Sequence, residues 1–207
     1  MSLSELAAEQ IPYYLTQQEK EGLVAALSNW PRPIDYYAAC WPNEVLQGDT
    51  WTRLPIRRFE DGEQGFISGI VLSNSCSIDP KNPRGLPTKI TIAPIIALDK
   101  YLIALNAGGI ASKSIEDKLL AIKEQRVHNI FYLPCGSGIA QDSIALLDDL
   151  HSFPTEAVDP GPHSDNKKLV TLSLVGFYLF VLKLSVHFCR FHENVSRRDD
   201  VVANAAV

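Results

Sequence analysis

Residues 66–73, FISGIVLS, and 89–98, KITIAPIIAL, are the stretches whose reading decides the fold. The first is apolar at Ile70 and Leu72 and rich in β-branched residues, which suits a pleated, half-buried strand. The second alternates at first and then becomes continuously apolar, as a strand buried on both faces does. A polar loop broken by proline and glycine separates them. Upstream, residues 49–59 read as a strand, with Pro55 marking a bend or an exposed edge. Asp61-Gly62 and Gly65 supply the turn into the next strand.

Working outward, Thr16 and Glu19 form a capping box, and Leu23, Val24 and Leu27 then share one helical face. Trp30-Pro31-Arg32-Pro33 stops that helix. The connector over residues 34–46 carries Tyr36, Tyr37 and Trp41, too aromatic for a free linker, and is expected to strap onto the strands. After Gly108-Gly109, Ile115, Leu119 and Ile122 have helical spacing within residues 114–126. Residues 129–134 and 143–153 read as two further strands around a Gly136-Ser137-Gly138 turn, and 154–168 as a hydrophilic loop. Residues 169–189 hold a single charge, Lys183, and read as a long apolar helix reaching to about residue 193.

These elements predict an α+β protein. Its centre is a small, strongly curved, SH3-like antiparallel β-barrel with an N-terminal helix, a helical insertion over residues 99–128 and a long buried C-terminal helix. Residues 1–46 form the helix and aromatic connector, and 47–207 the barrel domain.

A net charge of −5 over 207 residues argues against a surface that clamps nucleic acid throughout, because phosphate binding uses many Lys and Arg. Cys40, Cys76, Cys135 and Cys189 show no paired spacing, and MSLSELAAEQ is unlike an export signal. Reduced thiols and a cytoplasmic location are the expectation. The apolar stretch is long enough to cross a bilayer. Thr171, Ser173, Ser185 and His187, with no one-sided basic flank, favour a buried helix over a membrane anchor.

Four stretches occur in an order that resembles the PemK/MazF-like family of SH3-like barrel endoribonuclease toxins. Gly48-Asp49-Thr50-Trp51 is similar to the family's opening strand, and Ile70-Val71-Leu72-Ser73-Asn74 to its second. Ile92-Ala93-Pro94-Ile95 is similar to its third, and residues 144–150 resemble its late strand. The resemblance implies a toxin–antitoxin setting, RNA as a possible partner and dimerisation. The family's arginine-proline pair aligns with Ile67 and Ser68, and its hydroxyl residue falls near Ile96. None of these three can do what an arginine does for a phosphorane-like transition state. Loss of the usual nuclease chemistry is therefore expected.

Three sets of residues are candidates for a site. Arg53, Arg57 and Arg58 with Trp51 could grip phosphate and stack a base, or form a salt-laced surface strand with Glu60, Asp61 and Glu63. His187 and Arg190, three apart on one helical face, could move a proton and hold a phosphate, or simply complement a helix C-terminus. Cys76 and Asp79 follow a strong strand, as binding residues or as parts of a closed turn. No metal site or cofactor is expected: the five histidines show no i, i+4 pair and the cysteines no C-x-x-C. The leading expectation is a degenerate barrel that binds a protein, as partner or homodimer, or an RNA. The alternative is an endoribonuclease with a rebuilt site, and a membrane-anchored protein is third.

Overall fold

A computed structural model describes residues 34–58, 61–82, 85–161 and 163–188. The helix expected near the N-terminus, and Cys189, Arg190 and the residues beyond, lie outside the described residues. Eight strands form one curled antiparallel sheet, a half-barrel: β1 (Tyr37–Ala38), β2 (Thr50–Arg57), β3 (Gln64–Val71), β4 (Lys89–Ala97), β5 (Ile130–Leu133), β6 (Ser143–Leu146), β7 (His151–Pro154) and β8 (Lys168–Leu172). Their order is β1-β8-β2-β3-β4-β6-β5, with β7 pairing β4. Four helices complete the α+β architecture: α1 (Ser75–Ile78), α2 (Leu98–Ala107), α3 (Ser112–Lys123) and α4 (Leu174–Phe188).

Strand β4 organises the sheet. Its Lys89–Ile92 half pairs β7, with Ile92 opposite His151, whereas Ile95–Ala97 pairs β6, with Ile95 opposite Ala145. Pro94 lies in the gap between these two partners, where its missing N–H costs no ladder bond. This is how a proline stands in a central strand. The change of partner also splits the core. Trp51, Leu54, Ile90 and Ile92 pack on one side, and Ile70, Phe131, Leu133 and Phe180 on another.

Strand β2 contains a bulge between Trp51 and Leu54, where Arg53 adopts a left-handed φ of 53°. The extra residue lets both Trp51 and Leu54 face inward, 1% and 0% exposed, although strict alternation would turn one of them out.

The two end strands of the curl are joined by side chains. The Tyr37 hydroxyl donates to the Pro134 carbonyl at 2.6 Å, and the Tyr36 ring packs on Phe131. Gly138 sits so close to Leu169 that an added Cβ would lie 2.0 Å from its carbonyl oxygen, so only glycine fits there. The aromatic connector does strap onto the sheet, β1 pairing β8 from Tyr37↔Leu172 to Ala38↔Thr171.

Three expectations are corrected. Residues 143–153 form two strands, because Asp148 and Asp149 turn the chain between β6 and β7. The insertion contains two helices, α2 and α3, in place of the one expected over residues 114–126. The apolar C-terminal run is not one buried helix. Its first residues belong to β8, after which the Ser173 hydroxyl accepts the Gly176 amide at 3.1 Å and starts α4 as a cap. On α4 only Gly176, Phe180 and Lys183 are buried, one stripe at spacings of four and three. Among the described residues, no helix is long and apolar enough to cross a membrane.

Candidate functional site

The arginines of β2 do not converge. Arg53 lies over the Phe66 ring, 4.7 Å from its centroid, and reaches Asp165 at 3.6 Å. Arg57 donates through Nε to the Gly62 carbonyl at 3.2 Å. Arg58 is held by Asp61 at 2.9 Å and Glu63 at 2.8 Å. Each guanidinium is thus occupied within its own neighbourhood. Trp51, expected to offer a stacking face beside them, is instead a core residue, because the bulge turns it inward.

His187 lies elsewhere. Its ring stacks on His128 with centroids 6.0 Å apart, meets Phe188 edge-on, and sets Nε2 3.4 Å from the Asp148 carboxylate. Nδ1 is buried and makes no hydrogen bond. These contacts share no residue with those of Arg53, Arg57 and Arg58, and Arg190, expected beside His187, lies outside the described residues. One turn earlier on α4, Lys183 is 6% exposed and donates to the Gln125 carbonyl at 2.5 Å. Burial pulls its ammonium down to about 8. Gln125 has a left-handed φ of 57° just beyond α3, so Lys183 caps the carbonyl end of that helix, as the dipole prefers.

Cys76 and Asp79 do come together, in the wall of a cavity of about 760 Å³. Three regions distant in sequence build it: residues 43–46 of the strap, α1 with its exit through Lys81 and the loop 85–88 that follows, and the turn 155–160. Ile78, Ile90 and Val158, all buried, form an apolar floor continuous with the core around Trp51. Asn74 caps α1 by accepting the Cys76 amide at 3.0 Å, and the Asn82 side chain donates back to the Cys76 carbonyl at 2.9 Å. These bonds hold the Cys76 backbone while its side chain stays exposed.

The opposite wall is fixed by a buried ion pair. Asp49 is fully buried, accepts the Leu46 amide at 2.7 Å and meets the Lys168 ammonium at 2.7 Å. Burial pushes the Asp49 carboxyl upward, opposed by Lys168 and by the Leu46 amide. Lys168 also donates to the Trp41 carbonyl at 2.7 Å and lies over the Trp51 ring. Gln47 adds a second tether, its amide to the Ser75 hydroxyl at 2.9 Å and its side chain to the Leu72 carbonyl at 2.7 Å. The strap is therefore anchored on both sides of the cavity's edge.

Among the described residues around the mouth, Glu44, Asp79 and Glu156 stand with one cation, Lys81; Arg84, between Lys81 and Gly85, lies outside the described residues. None of the three carboxylates takes part in an ion pair among the described residues. Leu86 projects beside them, 79% exposed. Among the described residues, no three His, Cys, Asp or Glu side chains gather in a way that would hold a metal ion. Sequence reasoning picked out Cys76 and Asp79 but not Glu44 or Glu156, which lie in separate segments and carry no motif. No family model matches the chain, and no curated protein matches it in sequence.

Proposed function

We propose that this chain is an SH3-like barrel of the PemK/MazF-like kind that has lost the nuclease residues and serves as a protein-binding module, with the strap–α1 cavity as its binding groove. The observation that carries the reading is the groove itself, a preorganised apolar floor framed by segments that are separately tethered. The three carboxylates at its described rim support a protein partner rather than a phosphate backbone. The aligned positions agree with loss of catalysis. Ile67 packs against the core around Trp51, and Ile96 against the cluster under α2 and α3, so neither offers a polar group to a reaction.

Two measurements test the reading. Purified full-length protein is incubated with a long, unstructured, end-labelled RNA, with and without EDTA; the RNA is expected to stay intact. Discrete fragments would sink the module in favour of the rebuilt endoribonuclease. In parallel, a photo-crosslinking amino acid replaces Leu86, with and without Cys76→Trp, which fills the groove from an exposed wall position. A protein adduct that Cys76→Trp abolishes supports the groove, and an adduct indifferent to it counts against the site.

A further inference from the structure

Resting on the binding-module reading, we infer that the groove's occupant is an extended protein segment in which lysine or arginine side chains alternate with aliphatic ones. The first observation is charge. Elsewhere on the described surface most carboxylates sit beside a cation or histidine: Asp61 and Glu63 on Arg58, Asp165 on Arg53, Asp142 on Lys123, Glu124 on Arg126, and Asp148 and Asp149 on His187 and His151. Glu44, Asp79 and Glu156 are exposed and form no ion pair among the described residues, although three separate segments bring them to one mouth, which they share with Lys81. Unpaired like charges gathered around a concavity raise the local concentration of cations there.

The second observation is the floor. Ile78, Ile90 and Val158 can contribute only apolar contact, so an occupant that is cationic throughout would leave the deepest part of the groove unused. The third is length. The loop 85–88 that walls the groove also lines a second depression of about 370 Å³, bounded by Ser73, Asn74, Ser77 and Lys89. An occupant using both flanks of that loop is elongated. In an extended chain successive side chains point to opposite sides, which presents aliphatic groups to the floor and ammonium or guanidinium groups to the rim.

Fluorescence anisotropy on the full chain tests this with three short labelled peptides: alternating lysine and leucine, alternating glutamate and leucine, and alternating lysine and serine. The lysine–leucine peptide is expected to bind best and to weaken as salt rises. Glu44→Gln with Glu156→Gln is expected to weaken it by about tenfold and to flatten the salt dependence, and Cys76→Trp to abolish binding. Both glutamates are exposed, so an unchanged urea midpoint shows that the fold is intact. Equal binding of the glutamate–leucine or lysine–serine peptide, no binding of the lysine–leucine peptide, or no effect of the double variant would each overturn the inference. If the Leu86 adduct still forms and still depends on Cys76, the module reading survives that failure; if the adduct is absent and RNA is cleaved, both fall.

Discussion

The β2–β3 hairpin and the mouth of the groove are both rich in charge, and they differ in where that charge comes from. In the hairpin, Arg58, Asp61 and Glu63 are close neighbours along the chain and neutralise one another locally, while Arg57 donates to the Gly62 carbonyl. At the groove, Glu44, Asp79 and Glu156 are drawn from three separate regions, and among the described lining residues Lys81 is the one cation beside them. A dense run of charge in a sequence therefore marks a surface that has settled its own field. An active field arises where topology gathers like charges that the sequence keeps apart.

The comparison can be broken most severely at the pair that positions the groove's wall. Asp49→Ala leaves Lys168 without its carboxylate in a mostly buried position and is expected to cost about 3–5 kcal/mol. Urea unfolding would read the loss, and peptide binding should disappear with it. A loss below about 1 kcal/mol would mean that the strap is held by Gln47 and β1 instead.

Lys183 is a buried charge with no carboxylate partner among the described residues, and its effect on stability depends on pH. Its folded pKa of about 8 lies below the ordinary 10.5, so the unfolded chain binds more protons between those values. Stability should therefore rise with pH from about 8 to 10.5, by up to about 3 kcal/mol. Tyr36 acts in the opposite sense, since burial pushes it up to about 12 and folding loses stability as pH climbs from 10 towards that value. Lys183→Met should remove the rising limb. At neutral pH it should stabilise by about 1–2 kcal/mol, the relieved desolvation exceeding a lost hydrogen bond worth about 1 kcal/mol. Denaturant midpoints across the pH range would show it, and an unchanged rising limb would assign the limb to another group.

On the hairpin, alanine at Arg53, Arg57 and Arg58 together should cost about 1 kcal/mol, the sum expected of exposed pairs, and should leave RNA untouched. A larger loss would show that the hairpin's local charge pairs matter more than exposed geometry allows. The smallest effect belongs to the groove's rim. Glu44→Gln with Glu156→Gln should change stability by less than about 0.5 kcal/mol in either direction, because both acids are exposed and neither forms an ion pair among the described residues.

Strands with a strong local signal were legible. Residues 49–59, 66–73 and 89–98 carry alternation or β-branched runs, and β2, β3 and β4 lie within a few residues of those bounds. Failures came where partners are distant. Lys168–Leu172 has the apolar texture of the helix that follows, and only its pairing with β1 and β2, more than a hundred residues earlier, makes it a strand. The Ser173 cap was nonetheless present as a signal. Trp51 was misjudged because a bulge shifts the inside–outside register, which alternation alone does not foretell. In the site, Cys76 and Asp79 were visible as a polar cluster after a strand. The floor and the rim were not, since they exist only once residues near 45, 78, 86 and 156 are brought together.

On the ribosome, the first long strand of this sheet must wait for the last. Thr50 pairs with Val170, so β2 emerges with one edge bare until some hundred further residues have been made, roughly 10 s at ordinary elongation rates. A bare edge invites a neighbouring nascent chain to pair with it. Strand β2 bears the devices that discourage this: the bulge at Trp51–Leu54, a positive charge at Arg53 and a proline at Pro55. In the finished molecule Arg53 lies over Phe66 and meets Asp165; while the edge is bare, it is also a charge of the kind that discourages edge-to-edge pairing.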